Sequence, residues 1–185
     1  MESESVIMKI TSITSPIPPP VSFEELIKEL KEVRNRRQNP VTPPKYSHIL
    51  DQKITDIFNQ IMINDGKPGY HKKIKNLKNE IKPVIYYYKN YYNQMRPNEL
   101  AEEIGQHLDY DYLESAQTPS YPSGHTTQAF YLAHCLSVEF PSLSPKFFEL
   151  AEMIAESRID RGVHFPSDNE AGKLLAQYLF KVKMK

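Results

Sequence analysis

The chain has 185 residues, of which 39% are hydrophobic and 25% charged, a balance typical of one globular domain. Lysine plus arginine and aspartate plus glutamate each number 23, so the net charge of zero gives no indication of a nucleic-acid partner. No apolar run approaches the roughly 18 residues that cross a bilayer. The N-terminus also lacks the basic and apolar segments of a signal peptide. We therefore expect no transmembrane segment and a cytoplasmic location.

The N-terminal 21 residues are predicted to form an extended arm. Pro16-Ile17-Pro18-Pro19-Pro20 favours an extended conformation, and such an arm could hold a neighbouring copy in a homo-oligomer. Ser22 and Glu25 then have the spacing of a capping box, which predicts a helix from about 23 to 37. We assign residues 1–21 to the arm and residues 22–185 to one domain.

Beyond the arm, apolar residues recur at intervals of three and four, which is the helical period, and no segment alternates as a strand does. Proline, glycine and asparagine mark the breaks between the helices. Loops that would set specificity are expected over 64–79 and 106–121. The sequence therefore predicts an all-α fold, a single helical bundle with a proline-rich N-terminal arm. The further predicted helices cover about 47–63, Pro83 to a residue before Pro97, 98–107, 124–139, 145–160 and 166–183.

Two cations form the first candidate cluster. Lys89 and Arg96 are seven residues apart, close to two helical turns, so both are expected on one half-apolar face. Burying two cations is costly unless an anion meets them. The alternative is a surface helix whose basic side chains extend into solvent.

The second cluster begins a predicted helix. In Pro122-Ser123-Gly124-His125, the small residues suit a helix N-terminus, where amide groups and the helix dipole attract anions. Gly124 would let the backbone approach a phosphate closely, the Ser123 hydroxyl would add a donor, and His125 lies in the first turn. The alternative is a helix cap beside an unrelated histidine.

The third cluster joins the last two predicted helices. Arg158 continues the apolar stripe of one helix, and an arginine there requires an anionic partner. Asp168 lies on the inward face of the next helix, and His164 precedes it by four residues. A carboxylate that accepts from one imidazole nitrogen fixes the tautomer and leaves the other nitrogen nucleophilic. The alternative is a structural Arg–Asp pair with a neutral histidine.

The three clusters share one explanation. Each segment places cations, imidazoles or amides where the pattern predicts burial, and one bound oxyanion would resolve all three burial costs. Neither an oxygen-rich shell nor a three-histidine shell is present in the sequence pattern, so we expect no metal. The sequence predicts a phosphate site of His164, His125, Asp168, Lys89, Arg96, Ser123, Gly124 and Arg158.

These residues also resemble a known signature. Lys89 with Arg96-Pro97, then Pro122-Ser123-Gly124-His125, then Ser157-Arg158, His164 and Asp168 are similar to the three-part signature of the type-2 phosphatidic acid phosphatase and vanadium haloperoxidase superfamily. The resemblance covers about residues 80 to 180. Ser120-Tyr121-Pro122-Ser123-Gly124-His125-Thr126 and Ser167-Asp168-Asn169-Glu170-Ala171-Gly172 resemble the soluble bacterial class A acid phosphatases. We expect the chain to have neither the signal peptide of the secreted members nor the spanning helices of the lipid phosphatases.

The resemblance implies a phosphatase that uses neither metal nor other cofactor. His164 would attack phosphorus and form a phosphohistidine, Asp168 would orient it, and His125 would protonate the leaving group and then activate water. Vanadate would inhibit. The residues implied to bind phosphate are Lys89, Arg96, Ser123, Gly124 and Arg158.

The expected substrates are phosphate esters or diphosphates, carried by a phosphorylated small molecule or a lipid phosphate. One alternative is a vanadium-dependent haloperoxidase, in which vanadate would be the cofactor. Another is a phosphate-binding or structural protein without turnover. Both alternatives use the same pocket and differ in the chemistry that occurs after binding.

Overall fold

A computed structural model describes residues 15–43, 46 and 54–185. Within these residues every regular element is a helix, which confirms the all-α prediction. None of the described helices is long and apolar enough to span a bilayer. Short 3₁₀ turns lie at Glu114–Ala116 and Pro141–Leu143. The α-helices are α1 Phe23–Gln38, α2 Ile54–Asn64, α3 His71–Glu80, α4 Lys82–Tyr92, α5 Pro97–Glu103, α6 Gly124–Glu139, α7 Ser144–Asp160 and α8 Pro166–Lys183.

Helix α6 lies at the centre of the bundle, where it packs along α7 and α8 and also contacts α3 and α4. Leu132 and Leu136 of α6 are fully buried against Ile154 of α7 and Leu175 of α8 in the main core. Burial of such side chains stabilises by about 1.5–3 kcal/mol each. This packing holds the N-terminal ends of α6 and α8, which carry predicted site residues, side by side.

A second, smaller core attaches α1 to the site-bearing helices. Leu30 and Val33 of α1 pack with Leu100 of α5, with Ile159 near the end of α7, and with Phe165 before α8. One half of the predicted capping box is observed, because the Glu25 amide donates to Ser22 Oγ at 3.2 Å, while the Glu25 carboxylate pairs with Lys28 at 2.8 Å. Helix α1 therefore supports the segment between α7 and α8.

The described part of the arm lies against the bundle. Residues 15–21 contain no helix, as predicted, and Ile17 is buried in the main core. The Tyr121 hydroxyl donates to the Pro18 carbonyl at 2.6 Å. This contact places the arm beneath the loop that leads into α6. Residues 1–14 of the predicted arm lie outside the described residues.

The prediction of a loop over 64–79 is wrong, because α3 occupies His71–Glu80. Ile74 and Leu77 are its buried residues, while most of its lysines face solvent. Two apolar positions among so many lysines gave too weak a helical period to recognise. Of the predicted helix 47–63, residues 47–53 lie outside the described residues and the remainder is helical. The helix predicted over 98–107 is α5, which ends at Glu103.

Candidate active site

A cavity of about 220 Å³ lies where α3, α4, α6 and the loop before α8 meet. All three predicted clusters contribute to its lining. Ser123, Arg158 and Asp168 are fully buried beside it rather than lining it. The predicted residues that line the cavity are Lys89, Arg96, Gly124, His125 and His164.

The predicted contact between His164 and Asp168 is present. The Nδ1 atom of His164 lies 2.9 Å from Asp168 Oδ2, and an ionised carboxylate can only accept, so Nδ1 carries the proton. The other ring nitrogen, Nε2, lies 3.4 Å from Arg96 Nη1 and retains a lone pair. Burial, together with the charges of Arg96 and Lys89, holds the pKa of His164 well below its usual value. The imidazole is therefore neutral and oriented.

Asp168 is held by more donors than the sequence predicted. Gln94 Nε2 donates to Oδ1 at 2.7 Å, while the Ser120 hydroxyl and the Phe165 amide donate to Oδ2. Burial raises the pKa of Asp168, and the hydrogen bonds from Ser120 and Phe165, with the charges of Lys89 and Arg96, act against that rise. Asp168 also lies in the first turn of α8, where the helix dipole favours a carboxylate.

Gln94 was not recognised from the sequence, because a single glutamine in a loop carries no pattern. Ser120 was noticed only as part of a motif. Both residues are buried, and a buried side chain that donates to a carboxylate fixes its orientation. Gln94 and Ser120 are thus positioning residues for Asp168, and through it for His164.

Lys89 and Arg96 reach the cavity from different elements. Helix α4 ends at Tyr92, where Asn93 adopts a left-handed conformation with φ 45°, and Arg96 lies in the following loop. The expectation that one helix carries both cations is therefore wrong. The helix ends about one turn after Lys89, and Arg96 lies beyond that end. Both side chains nevertheless line the same cavity.

Main-chain oxygens hold these two cations. Lys89 Nζ donates to the carbonyls of Pro119 and Ser120, the second at 3.3 Å. Arg96 donates from Nε to the Thr118 carbonyl at 2.8 Å and from Nη1 to the Val163 carbonyl at 2.7 Å.

Burial of the two cations also changes their acidity. Burial, together with the positive charge of Arg96, lowers the pKa of Lys89 to about 7. Burial likewise lowers the pKa of Arg96 to about 10, while Asp168 acts to raise it. An anion in the cavity would favour the charged forms of both side chains.

Ser123 caps α6. Its Oγ accepts from the Thr126 amide at 3.4 Å and lies 2.9 Å from Thr126 Oγ1, which itself donates to Asn169 Oδ1 at 2.7 Å. Because the Thr126 proton is directed at Asn169, the Ser123 proton is directed at Thr126. The hydroxyl therefore belongs to the helix cap, and its predicted contact with phosphate stays a prediction. Gly124 and His125 follow directly and line the cavity.

Arg158 contributes positive charge from within the protein. Its side chain is fully buried, and Nη2 lies 3.5 Å from the hydroxyl of Ser115, which lines the cavity. The charge of Arg158 lowers the pKa values of His164, Lys89 and Arg96. The buried charge of Arg158 therefore acts on three groups that line the cavity.

The cavity is suited to an anion. Among the described residues, no aspartate or glutamate lines it, whereas four lysine or arginine side chains do. In the same part of the chain, no three histidine, cysteine, aspartate or glutamate residues are grouped as metal ligands. A cationic, partly enclosed cavity beside a neutral imidazole can bind an oxyanion and present it to Nε2.

Comparison with known proteins agrees with the signature. The model of the PAP2 superfamily matches residues 81–184. Among solved structures, the chain is similar to a transmembrane PAP2-type phosphatidylglycerolphosphate phosphatase from Bacillus subtilis, with 20% identity and a TM-score of 0.51 over 87% of this chain and 85% of that chain. At that identity the likeness concerns the fold. No curated protein matches the chain. Because the family model covers more than half of its length, the chain belongs to the PAP2 superfamily.

Proposed function

We propose that the chain is a metal-independent phosphatase that hydrolyses phosphate esters or diphosphates through a phosphohistidine intermediate. The observation that carries the proposal is the imidazole of His164. Its Nδ1 is bound to Asp168, and its Nε2 lies in an anion-suited cavity. Membership of the PAP2 superfamily supports phosphatase activity in general.

In the first step, the transferred phosphoryl group binds among the cations with its phosphorus facing His164. Lys89, Arg96 and the charge of Arg158 stabilise the three equatorial oxygens, and Gly124, the first residue of α6, lines the same cavity. Nε2 attacks in line, and the N–P bond forms as the bond to the leaving oxygen breaks. Asp168 stabilises the positive charge that develops on the ring.

His125 completes both halves of the reaction. Its protonated ring donates to the leaving oxygen, and the resulting neutral ring then takes a proton from water as that water attacks the phosphohistidine. Phosphate leaves and His164 returns to its neutral form. Water is the only co-reactant.

The proposed substrates are phosphorylated small molecules or lipid phosphates. Vanadate should inhibit, because its five-coordinate form resembles the transition state, and EDTA should not inhibit. The cytoplasmic location, the likeness to class A acid phosphatases and the formation of a homo-oligomer stay predictions.

Replacing His164 by alanine tests the proposed nucleophile. We expect the rate of phosphate release from p-nitrophenyl phosphate to fall by about 10⁴-fold or more, because the covalent route is lost. Radiolabelled phosphate from a labelled substrate should be trapped on the wild-type protein in an acid-labile form and be absent from His164→Ala. Circular dichroism would show that the fold is retained.

The matched control is His107→Ala, which removes an exposed histidine outside the cavity and should keep wild-type turnover. Near-normal turnover by His164→Ala would contradict the proposed role. Tight phosphate binding by the wild-type protein with no hydrolysis would favour the non-catalytic alternative, and loss of activity in EDTA would point to a metallophosphatase.

A further inference from the structure

The cavity continues along α4 beyond the residues proposed to bind the transferred phosphoryl group. Lys82, Ile85, Tyr86 and Lys89 line it at intervals of three and four, so they occupy one face of the helix. Lys82 and Lys89 are separated by about 10.5 Å along the helix axis, which is two turns. Lys78, in the last turn of α3, joins the lining beside Lys82. The cationic lining therefore extends further than one phosphoryl group.

Lys78 and Lys82 bring two like charges together at this end. Both side chains are half-buried. Burial lowers the pKa of Lys78, and the charges of Lys82 and Lys75 lower it further. Asp56 is the acid whose charge acts in the opposite direction, and its carboxylate is bound to His71 at 2.9 Å. Two ammonium groups facing one cavity without a lining carboxylate are stabilised when an anion lies between them.

The size of the cavity limits what the second end can hold. Its volume of about 220 Å³ is below the about 300–1,000 Å³ typical of sites that enclose a drug-sized ligand. A compact anionic group fits beside the transferred phosphoryl group, and a larger substituent would extend out of the partly enclosed cavity. A second, larger cavity on the far side of Arg96 is lined by Glu99, Glu103 and Asp111, so it is unsuited to an anion.

We propose that Lys78 and Lys82 form a subsite for a second phosphate of the substrate, so that the preferred substrates are diphosphates. The inference rests on the proposed function, because it assigns the inner phosphate to the leaving group of that reaction. Lys78 precedes residues 81–184, the segment matched by the superfamily model, so the subsite depends on a part of the chain that the family match does not include.

The subsite has a defined role in the chemistry. The N–P bond from His164 to the terminal phosphorus forms as the bond from that phosphorus to the bridging oxygen breaks. The electron pair of the broken bond stays on the bridging oxygen of the inner phosphate, whose negative charge increases as the bond breaks and until His125 transfers its proton to that oxygen. Lys78 and Lys82 stabilise that increase, so they act more strongly in the transition state than in the bound substrate. Water then releases the terminal phosphate from His164.

The double variant K78Q/K82Q tests the subsite. Inorganic pyrophosphate and p-nitrophenyl phosphate are compared as substrates in EDTA, and the measured quantity is the ratio of their kcat/KM values. We expect the ratio of pyrophosphate to p-nitrophenyl phosphate to fall about tenfold, because two partly exposed charge-assisted contacts are lost. The control K72Q removes an exposed lysine of α3 outside the cavity and should keep the wild-type ratio.

An unchanged ratio in an active K78Q/K82Q protein would overturn the subsite. If the wild-type protein hydrolyses neither compound, the proposed function fails, and calorimetric titration with pyrophosphate and with phosphate decides the subsite independently. Tighter binding of pyrophosphate than of phosphate, with the difference lost in K78Q/K82Q, would support it. Equal affinities in the wild-type protein would overturn it.

Discussion

Lys89 is 4% exposed, and its ammonium group donates to two main-chain carbonyls. Burial and the nearby guanidinium of Arg96 lower its pKa to about 7, and Arg158 acts in the same direction while Asp168 opposes it. The charge of Lys89 is therefore lost as the pH rises through neutrality in the free protein. His164, whose pKa is lowered well below 6.5, is neutral over the same range.

The pH dependence of kcat/KM should report His164 on the acid side and Lys89 on the alkaline side, where the proposed mechanism also requires protonated His125. We expect kcat/KM for p-nitrophenyl phosphate to fall as pH rises above about 7, because the neutral amine no longer binds the anion. In Lys89→Arg the guanidinium does not titrate, so this alkaline limb should move to higher pH. The control Lys72→Arg alters an exposed lysine of α3 outside the cavity and should keep the wild-type profile. An unmoved limb in Lys89→Arg would assign the titration to another group.

The residues of the site were predicted to different degrees. His164 and Asp168 were recognisable because their spacing of four and their inward positions required a contact, which is present. Gln94 and Lys78 were missed, since a polar residue in a loop and a lysine in a basic run resemble ordinary surface positions. The direction of the Ser123 hydroxyl depends on Thr126 and is not encoded by the local motif.

At the level of elements, the site depends on how closely α6 and α8 approach. A Cβ atom on Gly172 of α8 would lie 2.9 Å from the Ser123 carbonyl oxygen and 3.1 Å from Thr126 Cβ. The Ser123 amide in turn donates to the Asp168 carbonyl at 3.0 Å. The N-termini of the two helices are thus joined directly, and glycine permits that approach.

Gly172→Ala should therefore separate the two helix ends. Because the nearest atom is a backbone oxygen that cannot rotate away, we expect a loss of about 2 kcal/mol of stability and a fall in Tm of about 4–8 °C. The kcat/KM should also decrease, since His125 moves relative to His164. Thermal unfolding and steady-state kinetics measure both effects. Leu174→Ala, on the exposed side of α8, should change neither, and a wild-type Tm for Gly172→Ala would contradict the argument.

The predicted helices agree with the observed ones where a start signal and an apolar helical period occur together in the sequence. Helices α6 and α8 were predicted with the bounds observed, because glycine or proline starts each and apolar residues continue along it. Helix α3 was missed because its N-cap, Tyr70, makes no side-chain cap bond and its buried face is narrow.

On the scale of the whole molecule, α1 lies outside the family match yet contacts the site-bearing segment at two points. Glu29 accepts from the amide and the hydroxyl of Ser167, at 3.2 and 2.8 Å, beside Asp168. Arg36 pairs with the buried Asp160 at 2.6 Å, two residues after Arg158. Helix α1 therefore supports the geometry of the candidate site.

Asp160→Asn should weaken this attachment. Asp160 also accepts from the amide of Thr42 at 2.8 Å, so its loss leaves buried donors unsatisfied. We expect the free energy of unfolding to fall by about 2–3 kcal/mol. The loss is smaller than for an isolated buried ion pair, because Arg36 still pairs with Glu156 in the variant. Urea denaturation measures the change. The control Glu156→Gln alters a more exposed pair and should cost under about 1 kcal/mol; equal losses in both variants would contradict the argument.

Arg96 and Lys89 donate to the carbonyl oxygens of residues 118–120 and 163. These acceptors belong to the main chain, which is the same whatever the side chain. A different side chain at Thr118, which lines the cavity, would change the shape of the cavity and leave those hydrogen bonds in place. Selection can therefore change the side chains of this loop without removing the hydrogen bonds that hold the two cations.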